Sequence, residues 1–284
     1  MAQDTDFSQK IERIFDQRSI PLIMGILNVT PDSFFDGGKY LQEQDWLTQT
    51  GKMIQEGADI IDIGACSTRP GSPQPTPDEE SERLIKVIKS VRKAYPKLLI
   101  SVDTYRASIA EQAVNAGANI INDISGGTLD SQMFETVAKL KVPYVLMHIQ
   151  GNPQTMQQNP VYADVVKEVH AYFEEKLNKL KDFGVKQVIL DPGFGFGKTV
   201  EHNSQLLNNL EKFQSFNLPV LVGISRKSFV NKLLNINNKD TINATSILNK
   251  KAVENGAKML RVHDVKEAVE VVDSLQSSLR LRSD

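Results

Sequence analysis

Eight short apolar runs rich in Val, Ile and Leu recur along this 284-residue chain. Runs with little polar alternation are typical of strands that are buried on both faces, as in a parallel sheet. The segments between the runs have helical periodicity, most clearly at 79–95 and 106–115. We therefore predict eight strands separated by helices, at 21–28, 58–64, 98–103, 119–124, 143–148, 187–191, 219–225 and 258–263.

A weak internal repeat connects the predicted helices to the strands that follow them. The segments EGADIIDIG, AGANIINDI, FGVKQVILD and NGAKMLRVH share one plan: a helix end, a glycine, one or two linking residues and an apolar strand. Glycine commonly ends helices because it adopts the left-handed conformation without strain. Eight β-α units favour an α/β fold of the (β/α)8 type, a single TIM barrel, which usually needs about 250 residues. A doubly wound sheet is the alternative, but it typically has fewer strands and a topological switch point.

The composition is that of a soluble globular protein, with 40% hydrophobic and 24% charged residues and a net charge of −2. This balance gives no case for nucleic acid or an anionic membrane as a partner. We see no signal-peptide pattern and no apolar run near the roughly 18 residues of a membrane span. The single cysteine fits a reducing compartment. We expect a cytoplasmic protein with one domain over 1–284, in which residues 1–20 are an N-terminal extension that closes the barrel bottom.

Polar or charged residues stand where each apolar run ends. Any one of them is equally well explained as a turn or helix-capping residue, but all eight runs end this way. In a (β/α)8 barrel the carboxyl ends of the strands form one rim, where active sites lie. The residues at these ends are Asn28, Asp62, Asp103, Asn122 with Asp123, His148, Asp191, Ser225 to Lys227, and Arg261 with His263.

Two kinds of chemistry are expected at this rim. Arg261 and His263 are two residues apart on one strand and face the same side, so with Asn28 they suit a phosphate-type anion. A second set provides acceptors, one amide and one cation for a flat ligand with adjacent N–H groups. That set is Asp191, Asp103, Asn122 and Lys227.

The stretch LDPGFGFGKT at 190–199 resembles a nucleotide-binding loop in composition only. A P-loop needs glycine five positions before the glycine of its GK pair, where this chain has Pro192. We interpret the stretch as the end of the sixth strand, with Asp191 reading a ring, glycines turning the backbone and Phe196 packing at the pocket. In this interpretation Lys198 is the least important charged residue of the stretch.

Two polar loops follow strands and are candidate lids, at 28–39 and 66–77. Phe34 and Phe35 in the first loop either pack on a ligand ring or form a local cluster. Cys66 is expected to be a buried, inert thiol. The sequence has no H-E-x-x-H pattern and no clustered ligand set, so a structural metal is not indicated.

Taken together, the motifs resemble those of the dihydropteroate synthases. NVTPDSFFDGG, STRPG, SVDT, INDISGG, MHIQGNPQTMQ, DPGFGFGK, GISRKS and RVHDV occur in the order found in that family, over about residues 21–265. The resemblance implies a (β/α)8 barrel that joins 6-hydroxymethyl-7,8-dihydropterin diphosphate to p-aminobenzoate in folate biosynthesis. It further implies Mg²⁺ on the diphosphate, a homodimer and inhibition by sulfonamides.

The resemblance also implies a role for each matching position. Catalytic roles fall to Asp103, Asp191, Lys227, Arg261 and His263. Asp191, Asn122 and Asp103 would hold the pterin, and Lys227 would contact its ring near a p-aminobenzoate site that includes Ser228. The diphosphate would be held by Arg261, His263 and Asn28, with Asn28 also a Mg²⁺ ligand. The remaining binding residues would close over the substrates or line the pocket: Thr68, Arg69, Phe34, Met147, Phe196 and Gly223.

One departure from the family pattern concerns the second loop. The family usually has G-G-E or G-G-Q before S-T-R-P, whereas this chain has Gly64-Ala65-Cys66.

Two other functions are alternatives. A methyltransferase domain that binds methyltetrahydrofolate would need neither the Arg-x-His pair nor the STRPG loop. A non-catalytic pterin-binding paralogue would lack some motif residues, all of which are present here apart from the Cys66 position.

Overall fold

The computed structural model describes residues 2–16, 20–29, 39–66, 74–153, 155–235 and 240–283. Strands and helices alternate along these segments as predicted. The strands are β1 Leu22–Asn28, β2 Ile60–Gly64, β3 Leu99–Asp103, β4 Ile120–Asp123, β5 Tyr144–Met147, β6 Val188–Asp191, β7 Leu221–Val222 and β8 Met259–Val262. The helices are α1 Ala2–Phe15, α2 Lys39–Gln55, α3 Pro77–Ala94, α4 Ala107–Asn115, α5 Met133–Leu140, α6 Val165–Asp182, α7 Val200–Asn208, α8 Ser228–Leu234, α9 Thr241–Glu254 and α10 Val265–Ser283.

The eight strands form one parallel sheet in the order β6-β5-β4-β3-β2-β1-β8-β7. A parallel bridge between Leu190 and Val220 joins its two outer strands, which closes the sheet into a barrel. The predicted (β/α)8 architecture is therefore confirmed. No helix in the described part of the chain is long and apolar enough to cross a membrane.

Strand β7 is much shorter than its predicted range of 219–225. Pro219 lacks a backbone N–H and cannot donate to a neighbouring strand. After Val222 the chain turns, with the Lys227 amide donating to the Ile224 carbonyl at 3.2 Å and Arg226 in the left-handed region at φ 57°. The apolar run therefore continues past the strand into a turn that the pattern alone does not reveal.

The repeated helix–strand junction has the geometry that the sequence predicts. In all four repeats the glycine has a positive φ, between 78° and 117°. These glycines are Gly57, Gly117, Gly184 and Gly256. Each ends a helix and turns the chain toward the next strand.

The barrel interior is apolar at its amino-terminal end. Each strand contributes inward-facing side chains to a cluster that also includes Ile14, which is 3% exposed. Phe7, Ile11 and Phe15 of α1 pack against this cluster. Helix α1 therefore covers the bottom of the barrel.

The larger core lies between the strands and the surrounding helices. Helix α3 is a representative example. Its N-cap Thr76 accepts from the Glu79 amide, and the Glu79 side chain accepts from the Thr76 amide in return. Leu84, Ile88 and Val91 are spaced by three or four residues and are fully buried against the sheet. Capping and apolar spacing together explain both where this helix starts and which face it buries.

Candidate active site

The site follows from the alternation of side chains along the strands. One apolar layer inside the barrel has a member on every strand: Met24, Ile60, Leu99, Ile120, Val145, Ile189, Leu221 and Met259. The residue two positions later on a strand faces the same way. These later residues form what we call the rim layer: Ile26, Asp62, Ser101, Asn122, Met147, Asp191, Gly223 and Arg261. Five of these eight residues are polar or charged, so the interior changes from apolar to mostly polar within one step toward the carboxyl ends.

Arg261 lies between two carboxylates of this end of the barrel. Its Nε is 2.6 Å from Asp62 Oδ2, and its Nη2 is 2.7 Å from Asp103 Oδ2. Burial by itself lowers the pKa of Arg261, but the two carboxylates outweigh it and raise the pKa above its usual value. Burial raises the pKa of Asp103, although Arg261 opposes the shift. The guanidinium is therefore a permanent, fixed cation.

Asp62 also orients the neighbouring Asn122. The Asn122 Nδ2 donates to Asp62 Oδ2 at 2.9 Å, and Asn122 is only 3% exposed. Its amide oxygen is consequently the atom left to accept from a ligand. Asp123 points the other way, accepting from Tyr144 Oη at 2.7 Å and from the amides of Ser125 and Gly127, so it stabilises the turn after β4.

Asp191 and Lys227 are close enough for each to shift the pKa of the other. One oxygen of Asp191 accepts from the Gly193 amide at 2.7 Å. Burial raises the pKa of Asp191, and Lys227 opposes that shift. Burial likewise lowers the pKa of Lys227 to about 7, with Asp191 acting in the opposite direction. The Lys227 Nζ donates to the Phe194 carbonyl and lies 4.3 Å from the centre of the Phe196 ring.

A small apolar cluster forms the wall beside these polar groups. It consists of buried side chains from the ends of three strand-loop units, with Tyr105 and Ile149 packed against them. The buried members are Ile124, Met147, Met156 and Phe196. Because polar acceptors and an apolar wall adjoin, the site suits a flat, partly apolar ring with N–H groups on one edge.

The predicted anion-binding residues do not form one contact cluster. Arg261 is in register with Met24, four residues before Asn28 on β1, and its described contacts are the two carboxylates. His263 instead bonds to Ser225 through both its backbone amide and its ring Nδ1, each at 3.1 Å. Burial lowers the pKa of His263 to about 4, with Arg261 and Arg226 adding to the effect. Its ring is therefore neutral at pH 7.

The 193–197 loop differs from our interpretation in one respect. Lys198 is 3% exposed and its Nζ contacts His148 Nδ1 at 2.9 Å and the carbonyls of Gly193 and Phe196 at 3.0 Å. The expectation that Lys198 is the least important charge of the stretch is not supported by this geometry. Motif spacing does not distinguish a buried lysine from an exposed one, so this burial has no signal in the motif.

Comparisons with known proteins agree with this geometry. Residues 24–263 match the family model described as "Pterin binding enzyme". The chain is 43% identical to the dihydropteroate synthase of Escherichia coli (strain K12) over 263 residues, which is 92% of this chain and 93% of that protein. It is 44% identical to the dihydropteroate synthase of Haemophilus influenzae over 249 residues, 87% and 90% of the two chains.

The chain belongs to the dihydropteroate synthase family. It is accordingly a transferase of folate biosynthesis. The dihydropteroate synthase of Yersinia pestis, solved as a sulfonamide drug complex, superimposes with a TM-score of 0.85 at 39% identity, over 92% of this chain and 95% of that one. The Xanthomonas albilineans dihydropteroate synthase, solved with 7,8-dihydropteroate, gives 0.82 at 35% identity, over 93% and 95%.

Asp62 is a residue of the site that sequence reasoning leaves without a role. It stands at a strand end in the sequence, yet in the structure it is fully buried and holds both Arg261 and Asn122. Its position two residues after Ile60, within an otherwise apolar strand, is the available signal. Three predicted binding residues, Phe34, Thr68 and Arg69, lie outside the described residues.

The position that departs from the dihydropteroate synthase pattern lies beside a buried ion pair. Cys66 is half-buried, not fully buried as expected, and its Sγ is 3.9 Å from Arg106 Nη1. Arg106 also pairs with the fully buried Glu80 and donates to the Pro75 carbonyl at 3.2 Å. Burial raises the pKa of Cys66 to about 11, so it is a neutral thiol at pH 7. No residue of the rim layer is altered by this departure.

Proposed function

We propose that this enzyme condenses 6-hydroxymethyl-7,8-dihydropterin diphosphate with p-aminobenzoate to give 7,8-dihydropteroate and pyrophosphate. The observation that carries the proposal is the convergence of Asp62, Asp103, Asn122 and Asp191 around Arg261 and Lys227 beside an apolar wall. These acceptors match the adjacent N–H groups of a pterin edge. The p-aminobenzoate complex of a relative from Xanthomonas albilineans supports the second substrate.

The pterin would be read by two oriented acceptors. Asp191 keeps one oxygen on the Gly193 amide, which leaves the other for the ring amino and N3 groups. Asn122 presents its amide oxygen because its Nδ2 is held by Asp62. Lys227 would donate to a ring oxygen or nitrogen, and Phe196 and Met147 would pack on the ring faces, with Gly223 leaving room beside Arg261.

The diphosphate would lie above Arg261, toward Asn28 and His263. Arg261 has five N–H donors, of which two are used in the ion pairs described above. His263 is neutral and offers a single donor, while Thr68 and Arg69 would contribute from the second loop. These roles rest on the family resemblance and on the position of Asn28, Arg261 and His263 at the ends of β1 and β8.

The chemistry breaks the C–O bond between the exocyclic methylene and the diphosphate and forms a C–N bond to p-aminobenzoate. The electron-rich dihydropterin shares the positive charge left on the methylene, and the carboxylates of Asp103 and Asp191 stabilise it electrostatically. The aniline nitrogen is neutral near pH 7, so it attacks without a strong base, and the anilinium that forms then releases its proton to solvent.

The residues present fit Mg²⁺ brought with the diphosphate. No group of three acidic, histidine or cysteine side chains suited to a metal occurs among the described residues, and Asn28 is an exposed neutral oxygen donor at the end of β1. Mg²⁺ commonly binds through one or two protein groups plus substrate phosphates and waters. When bound, it would neutralise charge on the leaving diphosphate.

The carboxylate end of p-aminobenzoate would lie near Ser228. Ser228 is exposed and is the first residue of α8, directly after Lys227. Sulfonamides resemble p-aminobenzoate in shape and would compete for the same place. A sulfonamide complex of the Yersinia pestis relative supports this assignment.

Pyrophosphate release from the purified protein tests the proposed reaction directly. With both substrates and Mg²⁺ we expect continuous release, and without p-aminobenzoate we expect only background. A matched Asp191→Asn variant should lose most of the activity. Tight pterin binding with no release in the native protein would contradict the proposal and favour a non-catalytic pterin-binding protein.

We further propose that the enzyme is a cytoplasmic homodimer. This part rests on the family resemblance. Light scattering of the purified protein at several concentrations measures the oligomeric state, and a monomer at all of them would contradict it.

A further inference from the structure

Lys198 is a buried cation to which the proposed reaction gives no role. It is 3% exposed, and its hydrogen-bond partners among the described residues are His148 and loop carbonyls, without a carboxylate. Burial lowers the pKa of Lys198 to about 7, although the nearby Asp191 acts in the opposite direction, so keeping the charge here is costly. An apolar side chain of similar volume would fill the space more cheaply. The cation therefore needs a reason beyond packing.

The contacts of the ammonium group are complete. An ammonium has three N–H donors, and Lys198 has three acceptors within 3.0 Å: His148 Nδ1, the Gly193 carbonyl and the Phe196 carbonyl. Burial lowers the pKa of His148 well below its usual value, so the ring is neutral and its Nδ1 can accept. Tyr172 packs edge-on against that ring with centres 4.8 Å apart, which fixes its orientation.

The two carbonyls held by Lys198 flank the residues that form the ring site. The amide of Gly193 bonds to Asp191, and Phe196 carries the ring over which Lys227 lies. Between them, the Phe194 carbonyl accepts from Lys227. Displacement of either carbonyl would therefore move an acceptor, an apolar wall or a cation of the site.

The loop has no other described donor for these two carbonyls on its inner side except the Phe196 amide. That amide donates to the Gly193 carbonyl at 3.1 Å. The carbonyls of Gly195 and Gly197 are held separately, by Gln157 at 2.6 Å and Tyr162 at 2.9 Å. Loss of the lysine would leave the Phe196 carbonyl without its described donor, and such buried groups are costly to leave unpaired, so the loop would rearrange.

We propose that Lys198 is a positioning residue for the pterin site, which holds the 193–197 loop against His148 so that Asp191, Phe196 and Lys227 keep their places. The proposal rests on the proposed function only for the identity of the ring. It connects the end of β5 with the loop after β6, two elements that the pterin would contact together.

Lys198→Met tests the proposal, because methionine keeps most of the length and removes the donors. We expect the KM for the dihydropterin diphosphate and the dissociation constant of 6-hydroxymethylpterin, measured by fluorescence quenching, to rise at least about tenfold. The KM for p-aminobenzoate should change less than about threefold. Lys198→Gln retains two donors and should recover part of the pterin affinity. Lys181→Met, at an exposed lysine of α6, is the matched control and should change nothing.

A purely structural role would lower the melting temperature while leaving the pterin dissociation constant of the folded protein unchanged, and that result would overturn the proposal. If Lys198→Met does not fold at the assay temperature, Lys198→Gln makes the same comparison. Failure of the native enzyme to bind pterin or release pyrophosphate would instead overturn the proposed function. The two failures are thus distinguished by the native protein alone.

Discussion

Among single residues, the site is organised by ion pairs that no local pattern specifies. Arg261 is held between Asp62 and Asp103, and the three residues come from strands far apart in the chain. Removing one partner of such a buried set leaves the others uncompensated, which is expensive. These residues therefore contribute to the shape of the site as well as to its charge.

Asp62→Asn separates charge from shape at this position. Both described contacts of Asp62 use the same oxygen, Oδ2, which an asparagine oxygen can replace. We expect kcat/KM for the pterin substrate to fall at least about tenfold because Arg261 loses one carboxylate, and the melting temperature to fall because a buried charge loses its partner. Asp62→Ala should lose more stability than Asp62→Asn, since it removes the hydrogen bonds as well as the charge. Unchanged kcat/KM in Asp62→Asn would show that Arg261 needs only Asp103.

His263 should make stability depend on pH. Its pKa is lowered from an ordinary value of 6.5 to about 4 by burial and by the nearby Arg261 and Arg226. Between these values the unfolded chain binds a proton that the folded one does not, so this contribution is complete above pH 6.5 and is lost as pH falls toward 4. Urea unfolding measured at about pH 7 and at about pH 5 gives the loss of unfolding free energy between these two values. This loss should be smaller for His263→Asn than for the native protein. Equal losses of unfolding free energy in the two proteins would mean that other titratable groups cause the pH dependence of stability.

Among the elements, the 193–197 loop is set by its glycines and by the atoms that approach them. Gly193 has φ 70°, and a Cβ there would lie 1.9 Å from the His148 carbonyl oxygen. A side chain is therefore excluded by both conformation and contact. The loop can follow the end of β6 this closely only with glycine at that position.

Gly193→Ala should lower the free energy of unfolding by at least about 2 kcal/mol, because strain and overlap add. Gly184→Ala is the matched control, since Gly184 has φ 78° and a Cβ there would meet nothing within 4 Å. Only the conformational cost of about 1 kcal/mol should therefore appear in the control. Chemical denaturation measures both variants. Equal effects would mean that the loop moves away from His148 without cost.

In the molecule as a whole, stability and chemistry lie at opposite ends of one barrel. The apolar layer and helix α1 occupy the amino-terminal end, whereas the rim layer lies at the carboxyl end. This separation is general for the fold and lets loops change without disturbing the core. Substitutions at the two ends should therefore have different consequences.

Ile14→Ala should destabilise the enzyme by about 2–4 kcal/mol, since it removes buried methyl groups where α1 covers the barrel. The KM values for both substrates should be unchanged, because the site is at the other end. Glu12→Ala, at an exposed position of α1, should have an effect within about 0.5 kcal/mol. A large rise in KM for Ile14→Ala would contradict this independence of the two ends.

The number and order of the strands, the glycine junctions and the end of the barrel where chemistry occurs are all specified by local sequence. Apolar runs, helical spacing and turn residues each involve residues that are only a few positions apart, so these patterns can be recognised before the fold is known. The positions two residues after each inward-facing apolar residue even locate the rim layer, including Asn122, Asp191 and Arg261. The early end of β7 escapes this approach because the apolar run continues into a turn.

The pairing of the rim side chains, by contrast, depends on the closed barrel. Closure joins Arg261 to Asp62 and Asp103, while the nearby His263 bonds to Ser225. It also buries Lys198 against His148, 50 positions away in the sequence. Burial and pairing depend on which elements meet when the barrel closes. A charged side chain has the same local sequence pattern whether it ends in water or in the core. For that reason the glycines of the loop at 190–199 are evident in the sequence, whereas the burial of its lysine is evident only in the fold.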